Sequence, residues 1–91
     1  MITERELFLK NLAQTSDFPM MLEVDKAEGI FLIDRDGKKY IDLISGISVS
    51  NTGHRNLVVI EAIKNQLDNH LHAMVYGEFI QSPQTRYATR L

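Results

Sequence analysis

The chain has no cysteine and no tryptophan among its 91 residues, and only two prolines. Without cysteine there are no disulfides and no thiolate metal or redox sites. No apolar run approaches the roughly 20 residues that a membrane-spanning helix requires. The N-terminus carries Glu4, Arg5 and Glu6 where a signal peptide would place a basic start and an apolar core. A cytoplasmic protein is therefore the default expectation. An excess of one charge is also missing. Ten Lys plus Arg face twelve Asp plus Glu, for a net charge of −2, and Lys38-Lys39 is the only adjacent basic pair. That scatter lacks the dense positive stripe by which proteins engage phosphate backbones, so nucleic acid is excluded as an expected partner. What remains is a globular composition, 44% hydrophobic with four Phe and three Tyr. A single domain this small buries only roughly 60–65% of its unfolded surface. With disulfides and thiolate metal sites absent, the remaining support is contact with more protein.

Local signals divide the chain into short elements. Thr3-Glu4-Arg5-Glu6 has the form of a capping box, and Leu7, Phe8 and Leu12 give an apolar stripe, so a helix is expected over about 4–14. Met20 to Val24 suggests a short extended piece, followed by a polar connection over residues 25–29. Ile30–Asp34 and Lys39–Leu43 then flank Asp36-Gly37, the dipeptide favoured where two successive residues need positive φ, which predicts a β-hairpin. Residues Ser45 to Gly53 mix small hydroxyl residues and glycine with Ile47 and Val49, a loop held close to something else. Asn56 stands where it can cap a helix with Val59, Ile63 and Leu67 on its apolar face. Leu71 to Ile80 is mixed, and Ser82-Pro83 pairs a hydroxyl cap with proline at the first helical position, starting a last helix. No glycine, C-cap or trailing polar tail follows Leu91. The expectation is an N-terminal piece of a longer chain.

The chemistry-bearing residues form no catalytic set by themselves. Asp34-Arg35-Asp36-Gly37 fails the spacing of a calcium loop and is a turn. His54, His70 and His72 lack the i, i+4 spacing of a helical metal pair. His54 either supports its loop through its ring or stands by an anion at the helix N-terminus that follows, and the first reading leads. Ser45, Ser48 and Ser50 lack the second glycine of a nucleophile elbow. Asp25, Glu28, Asp34, Asp36 and Asp42 show no acid–base pairing, and a solvated surface is the expected role for most of them. None of the lysines at 10, 26, 38, 39 and 64 stands in the apolar setting that activates an amine.

The run Gly29 to Leu67 nevertheless resembles the N-terminal part of the class III, ω-amino acid type, aminotransferases. The residues that carry the likeness are Gly29, Asp34, Asp36-Gly37, Lys39-Tyr40-Ile41-Asp42, Ser45-Gly46-Ile47, Gly53-His54, Ala62-Ile63 and Gln66-Leu67. Leu57 departs from the family pattern, which places a proline shortly after the Gly-His pair. The resemblance implies an α+β N-terminal segment (helix, antiparallel hairpin or meander, helix) of a fold type I α/β enzyme dependent on pyridoxal phosphate. Residues 1–91 would then cover the start of the small domain and of the dimer-interface region. The large cofactor-binding domain, with its Schiff-base lysine and phosphate-cradling residues, would lie downstream. In such an enzyme an amino-acid donor and a keto-acid acceptor exchange an amino group across a homodimer. The resemblance places Ile47, Ser48 and Val49 on the substrate side of the pocket, with an aromatic near Phe79 facing it. It assigns no residue here to catalysis, to the cofactor or to a metal. Two competing expectations are a free-standing interaction module that dimerises through Leu71–Leu91, and a non-catalytic relative without the lysine.

Overall fold

The computed structural model describes all 91 residues, and they divide into two units, Met1–Leu57 and Val58–Leu91. The first unit opens with α1 (Glu4–Asn11), held by the capping box that the sequence predicts. Thr3 Oγ1 accepts the Glu6 N–H at 3.2 Å, and the Glu6 carboxylate accepts the Thr3 N–H at 2.7 Å. These bonds satisfy donors that a helix start otherwise leaves open. They hold the Glu6 carboxyl below the usual carboxylate range, the Thr3 amide acting most strongly. The helix is shorter than the expected 4–14 because Leu12 turns extended, at φ −108 and ψ 139.

A three-stranded antiparallel meander follows, of β1 (Val24–Glu28), β2 (Phe31–Asp34) and β3 (Lys39–Ile41), in the order β1-β2-β3. Ala27 pairs with Leu32, and Leu32 with Tyr40, so β2 is the centre. Residues 25–28, expected as a polar connection, instead form most of β1. Residues 26–28 pair with β2 and Asp25 sits at a break in the register, while Asp25, Lys26 and Glu28 face solvent as charged guards of an edge strand. Met20 to Val24, expected as extended, contributes only Val24 to the strand.

The hairpin also closes differently from the expected two-residue turn. Gly37 alone takes positive φ, at 83°, while Asp36 does not. The Gly37 N–H reaches the Asp34 carbonyl at 3.0 Å, and the Asp34 N–H reaches Lys38 O at 3.0 Å. This is a turn followed by a left-handed glycine, the three-residue hairpin connection. Asp34 Oδ1 accepts the N–H of Asp36 at 3.0 Å and of Lys38 at 2.9 Å, and its Oδ2 accepts the Tyr40 hydroxyl at 3.0 Å. Desolvation is the largest single influence on this carboxyl and opposes ionisation. The Lys38 amide, the Tyr40 hydroxyl and the Asp36 amide together outweigh it and set the group below its ordinary range.

An open groove of about 420 Å³ lies in this unit between α1 and Met21–Val24, floored by Leu7, Phe8, Leu12, Met21 and Leu22. Arg5 bonds Glu23 at 3.1 Å on its rim. The second unit holds all of α3 (Leu57–Asn69) except its first residue, and α4 (Ser82–Arg90). Gln66 Nε2 donates to His70 O at the end of α3, and Gln81 Nε2 donates to Met74 O in the irregular stretch between the helices. The residue that caps α4 is Gln81, extended and without a side-chain cap bond. Ser82 and Pro83 lie inside the first turn instead of Ser82 capping it.

No side chain in the chain is fully buried. Leu22, Phe31, Leu32, Ile33 and Tyr40 are half-buried around the meander, while Ile30, Ile41, Leu43 and Ile44 stay exposed. The apolar surface thus exceeds what this chain covers, leaving it open to contact with further protein.

Candidate functional site

The residues after β3 form a loop whose two ends are fixed to neighbouring positions on the meander. At its start, Asp42 N–H donates to Ile30 O at 2.8 Å. At its end, Gly29 and His54 exchange two backbone bonds, Gly29 N–H to His54 O at 2.9 Å and His54 N–H to Gly29 O at 2.7 Å. Residues 43–53 are thereby closed into a compact surface loop with adjoining ends, a type that often carries function. The closure needs glycine at position 53. Its φ is +84°, and a Cβ there would meet the Gly29 carbonyl oxygen at 3.3 Å.

Asp42 also ties the interior of the loop. Its Oδ1 accepts the N–H of Ile44 at 3.1 Å and of Ser45 at 2.9 Å, while Oδ2 meets His54 Nε2 at 2.6 Å. The Ser45 amide is the strongest influence holding the Asp42 carboxyl below its usual range. The His54 ring and the Ile44 amide add to it, against partial desolvation. An ionised carboxylate only accepts hydrogen bonds, so the His54 Nε2 carries the proton between them. The pair is sheltered, with side-chain exposures of 7% for Asp42 and 18% for His54.

What these anchors hold is a turn of unusual hand. The sequence predicts a loop from Ser45, and the structure folds Ser45–Ser48 (α2) into a single turn in which all four residues have positive φ: 53°, 59°, 64° and 65°. Ile44 before it and Val49 after it are right-handed. Ser48 N–H bonds Ile44 O at 3.1 Å and Val49 N–H bonds Ser45 O at 2.7 Å, so the turn has helical bonding with the left-handed sense. An L-residue in that region costs about 1–2 kcal/mol, and for a β-branched side chain it is a true outlier. Only Gly46 escapes the cost, so Ser45, Ile47 and Ser48 store strain that the surrounding bonds must overcome. Strain of this kind concentrates at functional positions.

Of the residues singled out in the sequence, Ile47 and Ser48 lie in this turn and Val49 follows it directly, with Ile47 85% and Val49 75% exposed. None of them lines the groove beside α1. Phe79 belongs to the second unit, in the irregular stretch before α4, and is 56% exposed. His54 supports its loop as expected. Asp42 and Asp34 are the exceptions to the solvated surface expected for most of the acidic residues, since both carboxylates gather backbone N–H groups. The available signal for Asp42 was its place just before a small-residue stretch, where aspartate side chains bond the amides that follow.

The family profile for class-III aminotransferases matches residues 12–91. The chain is 43% identical to the acetylornithine aminotransferase of Bacillus subtilis over 70 residues, which are 77% of this chain and 18% of that protein. It is 44% identical over 50 residues to the ornithine aminotransferase of Staphylococcus carnosus, covering 55% of this chain and 13% of the relative. Among solved structures, the acetylornithine aminotransferase of Elizabethkingia anophelis superposes with a TM-score of 0.78 at 32% identity, over 93% of this chain and 20% of the other. The taurine:2-oxoglutarate aminotransferase of Bifidobacterium kashiwanohense, solved with PLP and glutamate, gives 0.76 at 30% identity, over 91% of this chain and 19% of the other. The chain belongs to the class III aminotransferase family, and its helices and antiparallel sheet are an N-terminal segment of that fold. It spans about a fifth of the length of those solved structures.

Pyridoxal phosphate, the cofactor of this family, asks for a lysine amine and a tuned setting for its ring. All five lysines of the chain are exposed. Lys38 lies over the Tyr40 ring at 4.9 Å and Lys39 over Phe31 at 5.5 Å, engaged as surface cations. These residues do not compose a cofactor site, and no chemical step is assigned to them. No three His, Asp or Glu side chains gather as a metal site either. No helix is long and apolar enough to cross a membrane.

Proposed function

We propose that the whole protein is a cytoplasmic, homodimeric aminotransferase that moves an amino group from an amino-acid donor to a keto acid with pyridoxal phosphate. In this reading residues 1–91 begin the small domain and the dimer interface, and the cofactor is held by residues outside them. The donor class is that of acetylornithine and ornithine, the substrates in the names of the similar enzymes of Bacillus subtilis and Staphylococcus carnosus. The family match across residues 12–91 supports the reaction type. The observation that carries the site is the strained left-handed turn. It presents Ile47 outward on a backbone that nothing local would choose, with Ser48 and Val49 beside it. An apolar residue held in this way suits the wall that borders the aliphatic part of a donor. The segment orients substrate and leaves the amino transfer to groups elsewhere.

The test is reconstitution of the whole protein with pyridoxal phosphate, followed by single-turnover assays with acetylornithine, ornithine and taurine as donors. Bleaching of the bound cofactor's visible absorption by the first two supports the reading. A protein that takes up no cofactor, or binds it and reacts with no ω-amino donor, contradicts it.

A further inference from the structure

We propose that Asp42 and His54 are positioning residues for the donor, acting through the turn Ser45–Ser48 without touching substrate themselves. This rests on the reading above that Ile47 borders the donor.

The geometry gives the pair one evident task. Asp42 bonds forward to the amides of Ile44 and Ser45, the entry to the left-handed turn, and sideways to His54, the residue at which the loop rejoins the meander. One carboxylate thus couples the start of the strained segment to its end. Its backbone N–H is bonded to Ile30 O, and the His54 backbone exchanges bonds with Gly29, so both partners stand on the meander and not on the loop they restrain. The remaining polar contacts of the turn are backbone bonds within residues 44–50, which hold its shape and give it no external anchor. If the 2.6 Å contact is lost, Asp42 keeps its bonds to the Ile44 and Ser45 amides but loses its tie to His54. The strained turn yields part of its population to right-handed alternatives. Apparent affinity then falls by the fraction of molecules that keep the competent form. The chemistry on bound substrate stays as before, because no group of the pair reaches it.

Variants of the whole protein, loaded with pyridoxal phosphate, test this. His54→Ala removes the ring donor, while His54→Gln keeps an N–H donor at a similar reach. The expected result for His54→Ala is a rise in donor KM of about tenfold, the scale of one charge-assisted hydrogen bond, with kcat and the cofactor absorption changed by less than about twofold. His54→Gln is expected to recover most of that loss, and Asp42→Ala to match or exceed His54→Ala. The inference is overturned if His54→Ala leaves KM within twofold, if kcat falls in place of affinity, or if His54→Gln is as impaired as His54→Ala. Loss of soluble, cofactor-loaded protein in both His54 variants also overturns it, since the pair would then be a requirement of folding alone. A wild-type protein that loads no cofactor rejects the underlying functional reading, which separates that failure from the others.

Discussion

Gly53 and Gly37 form a matched pair for testing whether the loop closure is a real constraint. Their φ values are +84° and +83°, so alanine at either place meets the same backbone penalty. That penalty is about 1–2 kcal/mol, offset by about 0.4–1 kcal/mol because alanine restricts the unfolded chain. Gly37→Ala should therefore cost about 1 kcal/mol, for nothing lies within 4 Å of its added Cβ. At Gly53 the Cβ meets the Gly29 carbonyl oxygen at 3.3 Å, the same oxygen that accepts the His54 N–H at 2.7 Å. Displacing it weakens two reciprocal bonds, each with a net worth of about 0.5–1.5 kcal/mol, so Gly53→Ala should cost about 2–4 kcal/mol. Hydrogen exchange read by mass spectrometry on peptides covering residues 27–32 and 50–56 measures that local opening. Gly53→Ala is expected to accelerate exchange in both peptides by about 30-fold or more, since each 1.4 kcal/mol is a factor of ten. Gly37→Ala should leave both nearly unchanged. Equal effects of the two substitutions, or faster exchange in only one of the two peptides for Gly53→Ala, would refute the reasoning.

Other expectations follow from the same contacts. Ile47→Gly should relieve the left-handed strain and stabilise the loop by up to about 1 kcal/mol while raising donor KM, a trade seen as slower exchange with weaker binding. The Asp34 and Asp42 carboxyls are both depressed in the fold, so the unfolded chain binds more protons in acid. Their stabilisation is full above the unfolded carboxylate value and is lost as pH falls below about 4. A denaturation midpoint that falls less steeply from pH 5 to pH 3 in Asp42→Asn than in the parent checks this. Thr3→Ala should cost α1 about 1 kcal/mol through the lost cap, visible as helical NMR shifts fading over residues 4–11.

The short-range signals in this sequence were the legible ones. The capping box needs only Thr3 and Glu6 three residues apart, and the hairpin needs a glycine between strand-forming runs; both are present in the structure. Strand β1 was hidden because Asp25, Lys26 and Glu28 are typical of loops, and only pairing with β2 makes that stretch extended. The left-handed turn was less visible still. Glycine marks one of its four positions, and a β-branched residue at the next argues against the conformation it adopts. What imposes it is tertiary: Asp42 and His54 are twelve residues apart and meet because His54 returns to Gly29. The resemblance singles out Ile47, Ser48 and Val49; the first two lie in the left-handed turn and the third follows it.

The most direct measurement is a crystal structure of the whole protein with pyridoxal phosphate and an unreactive ornithine analogue. The account predicts positive φ at Ser45, Ile47 and Ser48, with Ile47 carbons within about 4–4.5 Å of the analogue's aliphatic chain. An analogue bound away from that turn, or a turn that is right-handed in the loaded enzyme, would contradict it.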